Sequence, residues 1–349
     1  MLVGLLAIFA MLIFLSFVED YLGKYKWFAF LTIGVVLMVY AGVRPVGFDR
    51  DSPNYETMFM HPDSRLSEIS VEPFFLWICN VCSLLMQDVR IILVLFAIVG
   101  VTLKMYDKKK LTPMFFLPLV IYFGNFYFLH EITQIRAGVA AAIFLISVYY
   151  MSEGRKLVAF GLIAVACMFH YSALSLFPLL FLDNKPMCRV KKMMMASIVP
   201  MCFLLYFLNL DLLTTIPIPY VTDKVEGYKA ASEFGAVAKN SILNPFPLIK
   251  MAVFLFLLYF ADTVERYVPS IHLLIKILGC SLVVYFAFSS ITIISIRISE
   301  LYGIVELVAY PCIAYTIRPQ AVGTLFVCMI AIIEMVFNTI MWGFFDFTV

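Results

Sequence analysis

The chain has 349 residues, of which 63% are hydrophobic and only 14% charged, with a mean hydropathy of +0.98. A soluble domain carries about 25% charged residues, so the composition excludes one and predicts an integral membrane protein. The net charge of +2, from 25 basic and 23 acidic residues, leaves no basic face for nucleic acid.

Apolar runs recur at 1–17, 27–43, 90–104, 113–129, 137–152, 193–208, 247–261, 273–296, 301–317 and 321–342. Each is close to the ~20 residues that cross a bilayer as a helix, and none alternates as the strands of a membrane barrel do. The first lacks a basic leading segment and a small-residue cleavage site, so it reads as a retained helix. Two further stretches, 71–86 and 157–182, are harder to place. Together they predict an all-α polytopic membrane protein of about 10–12 transmembrane or re-entrant helices, forming one integral membrane domain over 1–349.

Lysine and arginine collect in short cytoplasmic loops. The clearest basic breaks are Lys24 with Lys26, Lys104 with Lys108 to Lys110, Arg155 with Lys156, and Lys185, Arg189, Lys191 and Lys192. All four share one side if 71–86 dips in without crossing and 157–182 is a re-entrant hairpin broken near His170 and Pro178. The alternative is one long tilted span over 157–182. The hairpin places a first outer loop over 44–70, a turn over 130–136 and a larger outer loop over 209–246 on the other face. Residues 223–239 of the larger loop read as an amphipathic surface helix. No internal repeat is visible, which argues against an inverted-repeat transporter. Cys79 and Cys82 have CxxC spacing, but with no histidine or acid nearby they read as small buried hydrophobes rather than a metal or redox site.

Ionisable residues beside hydrocarbon are costly and mark candidate functional positions. In GVRPVGFDRDSPNYETMF, Arg44 either snorkels to the interface or faces a cavity, and Asp49 and Asp51 suggest a turn with both carboxylates in one pocket. In VEPFF, Pro73 suits the first helical position, and Glu72 is a helix-start carboxylate, a general base or an arginine partner. In QIRAGVAAAIF, Gln134 and Arg136 precede Gly138, Ala140, Ala141 and Ala142, small residues that favour a helix inside the bundle. A guanidinium at such a helix start suits an anion such as phosphate. His170, in CMFHYSALSLFPLL, is either a core histidine or a residue for proton transfer or hydrogen bonding to the substrate. Arg297 and Glu300 share a helical face, either neutralising each other or facing the same cavity.

In this order, Arg44, Gly47, Asp49 and Tyr55, then Glu72 and Pro73, then Gln134, Arg136, Gly138 and Ala140, then Phe169, His170, Ser172 and Ala173, then Arg297, the chain resembles the EpsG family of Wzy-type polymerases of exopolysaccharide and O-antigen. Residues 130–182 carry the most specific part. Ala137 stands where the family usually has glutamine, and Tyr55 lies beyond the usual spacing. The resemblance implies a bundle similar to the GT-C membrane glycosyltransferases, in the bacterial inner membrane with its active site facing the periplasm. It implies transfer of a growing glycan from undecaprenyl diphosphate to a lipid-linked repeat unit, without metal or other cofactor, with a chain-length regulator as a further protein partner. It assigns Arg136, Arg297 and Arg44 to the diphosphate, and His170, or else Glu72 or Asp49, to the acceptor proton. Gln134, Tyr55 and Glu300 would position the substrate. An O-antigen ligase shares the donor and the arginines. A lipid-linked oligosaccharide flippase would instead spread its arginines along a central path.

Overall fold

The computed structural model describes residues 2–61, 71–208, 244–289 and 291–341. Residues 62–70 of the first outer loop, and residues 209–243 with the expected surface helix, lie outside the described residues. Every regular element among the described residues is helical. Six helices are long and apolar enough to cross a membrane: Val3–Leu22, Tyr25–Gly42, Ile135–Ser152, Arg189–Leu208, Pro245–Val264 and Gln320–Thr339. The protein is an all-α polytopic membrane protein.

Ile135–Ser152 is the most buried of the six and Arg189–Leu208 the least. Lipid supplies no hydrophobic force between helices, so close van der Waals contact must hold the central helix, and its small residues permit that contact. A Cβ on Gly138 would run into the His130 carbonyl of the preceding segment. Gly138 and the buried Ala140, Ala141 and Ala142 therefore let this helix pack in the middle of the bundle.

Several expected spans take a different form. The stretch 113–129 becomes a short α-helix, Leu117–Ile121, continued by a π-helix, Tyr122–Thr133. This winding absorbs most of the turn expected at 130–136, and His130, Glu131, Ile132 and Thr133 are buried. The apolar run 273–296 is broken: Ile271–Ala287 ends, and Thr292–Gly303 begins after it. Ser295 donates to the Tyr285 carbonyl at 2.7 Å, satisfying backbone near the break. The run 301–317 is also divided, into Glu306–Ala309 and a 3-10 turn over Tyr310–Tyr315. Periodicity cannot register such breaks, because the broken backbone is satisfied by side chains from elsewhere.

The segment 157–182 is a hairpin rather than one long span. The helix Lys156–Phe169 stops at His170, whose backbone is extended, and a 3-10 helix, Tyr171–Phe181, returns beside it. Phe160 and Phe177, on opposite arms, bring their ring centroids within 5.1 Å. Stretch 71–86 is a single helix, Pro73–Leu85, too short at 13 residues for a full span.

Lys104 needs a correction. The helix Arg90–Leu111 runs past it, and its ammonium is buried against Glu131 while donating to the Gly138 carbonyl at 2.8 Å. Tyr122 donates to the same carboxylate at 2.7 Å. Lys104 is thus a buried tie between three elements and no part of a solvated basic loop.

Candidate functional site

Four elements converge on one carboxylate. Glu72 precedes the helix Pro73–Leu85, with Pro73 fixing the first helical residue. One of its oxygens pairs with Arg136, at the start of the central helix. The other accepts from His170 Nδ1 at 2.9 Å and from the Tyr171 backbone N–H at 3.2 Å, both in the bend of the hairpin. Tyr55, from the helix Ser52–Met60, completes the wall. The Arg136 guanidinium lies 5.0 Å from the Phe75 ring centroid and 5.8 Å from that of Tyr55, close enough for both faces to attract it.

Aromatic packing holds these elements in register. Phe74 meets Phe169 edge-on at 4.9 Å, and Phe75 meets both Tyr55 and Phe96. Bulky rings therefore flank the polar residues on each element in sequence: Phe74 and Phe75 follow Glu72, and Phe169 precedes His170. The hairpin is also tied to the helix Thr292–Gly303, where Tyr302 donates to the Ser175 carbonyl.

Burial alone would push the Glu72 carboxyl up, but its hydrogen bond to His170, the Arg136 charge and the His170 charge hold it down at about 2. It is ionised at neutral pH. The ionised carboxylate holds a proton on Nδ1, so that Nε2 is the acceptor whenever the imidazole is neutral. Ser172 Oγ lies 3.2 Å from Nε2. The histidine side chain is 17% exposed and that of Arg136 18%, against 3% for Glu72. The histidine and the arginine thus reach the surface of the site, while the glutamate lies behind them.

Of the three alternatives open for Glu72, the geometry is that of an arginine partner: one oxygen pairs with Arg136 and the other accepts from His170 and the Tyr171 N–H. Gln134 stands at the start of that helix, where its carbonyl accepts the Gly138 N–H at 2.8 Å, and its side chain is half-buried. Burial pushes the Tyr55 hydroxyl up to about 12, so it is a neutral donor.

Arg44 and Asp49 are a second correction. Neither side chain is exposed; Arg44 Nε binds Asp49 Oδ2 at 3.0 Å, and its other nitrogens donate to the Ala41 and Ile132 carbonyls. Asp49 Oδ1 accepts the backbone N–H groups of Asp51 and Ser52 at 3.0 and 2.9 Å, an Asx-type turn that leads into the next helix. Gly47, with φ +86°, allows the tight turn between them. Arg44 is neither snorkelling nor placed for diphosphate, and Asp49 is not an available base. The pair is a clasp that fixes the loop against the π-helix.

Asp51 emerges from that clasp half-buried. Burial and the Asp49 charge push its carboxyl up, against the opposing pull of Arg297 and Arg136. Arg297 is exposed, within electrostatic reach of Asp51 and of Glu300, while Glu300 is turned into a cavity with Lys250. Arg136 and Arg297 thus both lie within electrostatic reach of Asp51, and His170 meets Arg136 through Glu72.

Charged residues that the sequence reading passed over line that cavity: Lys250, Glu306 and Glu334. The signal was present, since each is a lone charge in an apolar run, PFPLIKMAVF, YGIVELVAYP and MIAIIEMVFN. Their convergence from three distant segments was not visible.

No curated protein and no solved structure matches the chain. A model of the EpsG family matches residues 26–347, nearly the whole chain. That family consists of Wzy-like polymerases. With its bundle of membrane helices and the match over almost its full length, this chain belongs to the EpsG family and is a multi-pass membrane protein of polysaccharide-polymerase type.

Proposed function

We propose that the protein transfers a growing glycan from undecaprenyl diphosphate to a hydroxyl of a lipid-linked repeat unit, at the periplasmic face of the bacterial inner membrane. The observation that carries this reading is Glu72 bridging His170 and Arg136, which sets a proton acceptor and an anion-binding group side by side. The acceptor hydroxyl donates its proton to His170 Nε2 as its oxygen bonds to the anomeric carbon of the donor. The bond from that carbon to the diphosphate oxygen breaks, and its electron pair leaves with the lipid diphosphate.

Negative charge grows on the leaving group in the transition state. Guanidinium groups held beforehand at that place lower the barrier most, because they need no rearrangement during reaction. Arg136, fixed by Glu72 and two aromatic rings, meets the first phosphate, and Arg297 meets the second. In this reading guanidinium groups meet the leaving charge and no metal is required. Tyr55 and Gln134 border the donor side, and Glu300 belongs to the sugar side.

The test is deletion of the gene in its native host, with complementation by wild type or Arg136→Ala, and electrophoresis of the surface polysaccharide. Polymerisation predicts single-repeat glycans in the deletion, a ladder restored by wild type, and none restored by Arg136→Ala at equal membrane levels. Loss of all surface glycan on deletion would instead indicate a flippase or ligase, and a full ladder from Arg136→Ala would remove the assigned site.

A further inference from the structure

Between the helices Pro245–Val264, Thr292–Gly303 and Gln320–Met341 lies a cavity of about 450 Å³, within the range of about 300–1,000 Å³ typical of small-molecule sites. Its polar lining comes from Lys250, Glu300, Glu306, Glu334 and Asn125, with Phe126 and Phe246 among its apolar walls. Lys250 stands 2.8 Å from Glu306 and donates to Ser281 at 2.9 Å. Asn125 donates to the other oxygen of Glu306 at 2.9 Å.

Glu334 is different. It is 1% exposed, and its Oε2 has no hydrogen-bond partner. A buried carboxyl oxygen without a hydrogen-bond partner in a membrane helix is a cost to the fold that packing does not repay, and its presence points to a group from outside. The three carboxylates do not form a metal-ligating group among the described residues, which argues against a divalent cation. Lys250 is already engaged by Glu306 and Ser281, which argues against phosphate or an acidic sugar. What fits is a ring bearing several hydroxyls: these donate to carboxylates and accept from an ammonium or an amide, while the ring's C–H face lies on aromatic walls.

Arg50, which lies between Asp49 and Asp51, and Glu300, one helical turn beyond Arg297, also line it. We propose that the cavity closed by Lys250, Glu306 and Glu334 is a subsite for a neutral or amine-bearing sugar of the glycan, with Glu334 accepting from its hydroxyls. The assignment rests on the polymerase reading for the identity of its ligand.

The test uses full-length protein purified in detergent and neutral oligosaccharides made by partial acid hydrolysis of the host's own surface polysaccharide. Binding is followed as a ligand-dependent rise in melting temperature. The wild type is expected to show a saturable rise, and Glu334→Leu an apparent affinity about tenfold or more weaker, the loss of one charge-assisted hydrogen bond. Without ligand, Glu334→Leu should melt no lower than wild type, because a buried carboxyl oxygen without a partner has been replaced by a hydrocarbon. If Glu334→Leu fails to fold, Glu334→Gln keeps the shape and should still bind more weakly. Equal affinity in a folded Glu334 variant, or no shift in wild type, overturns the subsite. A polysaccharide ladder that needs Arg136 while binding ignores Glu334 would remove this assignment alone. A ladder that survives gene deletion would remove the polymerase reading instead.

Discussion

Replacing Glu72 by glutamine keeps the shape of the side chain and removes its charge, which separates the two tasks of this residue. Its carboxyl stands at about 2 in the folded protein against an ordinary 4.5, a difference equivalent to about 3 kcal/mol favouring the ionised, folded form. Loss of one partner from a buried ion pair costs a similar 3–5 kcal/mol or so, and the partial exposure of Arg136 places this case at the lower end. Glu72→Gln should therefore lower the melting temperature in detergent by several degrees. The group is depressed on folding, so its contribution is complete above pH 4.5 and is lost as pH falls toward about 2. The wild type should lose this increment of stability across that interval, and Glu72→Gln should not. Chemically, a neutral amide no longer holds the histidine proton on Nδ1 by charge, which weakens Nε2 as the acceptor at the proposed reacting position. Glycan transfer in isolated membranes should then fall by about 10²–10⁴, the usual contribution of a general base. His170→Ala should fall by a similar factor, and the double variant scarcely further, because the two act as one unit. The reasoning fails if Glu72→Gln polymerises at the wild-type rate, or if it is inactive while His170→Ala is active.

Arg44→Leu should destabilise by about 3–5 kcal/mol because it strands Asp49 without its cation, whereas Arg44→Leu combined with Asp49→Asn, which keeps an oxygen for the Asp51 and Ser52 N–H groups, should recover part of the loss; melting temperatures in detergent decide this. Whatever Arg44→Leu protein folds should keep its catalytic rate, and a rate defect at full stability would return Arg44 to the diphosphate. Arg297→Gln, at an exposed position, should change stability by less than about 0.5 kcal/mol yet cut transfer by about tenfold or more, measured as turnover per folded protein; unchanged turnover would remove Arg297 from the site.

The sequence by itself determined the membrane character and the helical class and made the polar motifs conspicuous, because transfer free energy is local. A run of apolar residues predicts a span, and a charge inside or beside one is conspicuous. On that ground Glu72, Arg136, His170 and Arg297 could be selected before any contact was known. The tertiary structure alone decided who pairs with whom. Arg44 and Arg136 look alike in sequence, each an arginine at a helix boundary, yet one is wholly used by Asp49 and two carbonyls while the other keeps an open edge. Glu72 could be a helix-start carboxylate, a base or an arginine partner, and the fold joins it to Arg136 and to His170, which arrives from 98 positions away. Lys250, Glu306 and Glu334 were lone charges until three segments folded around one cavity. The physical reason is common to all of them: a charge in an apolar segment must be compensated, and its compensation comes from residues distant in the chain, whose approach no local pattern encodes.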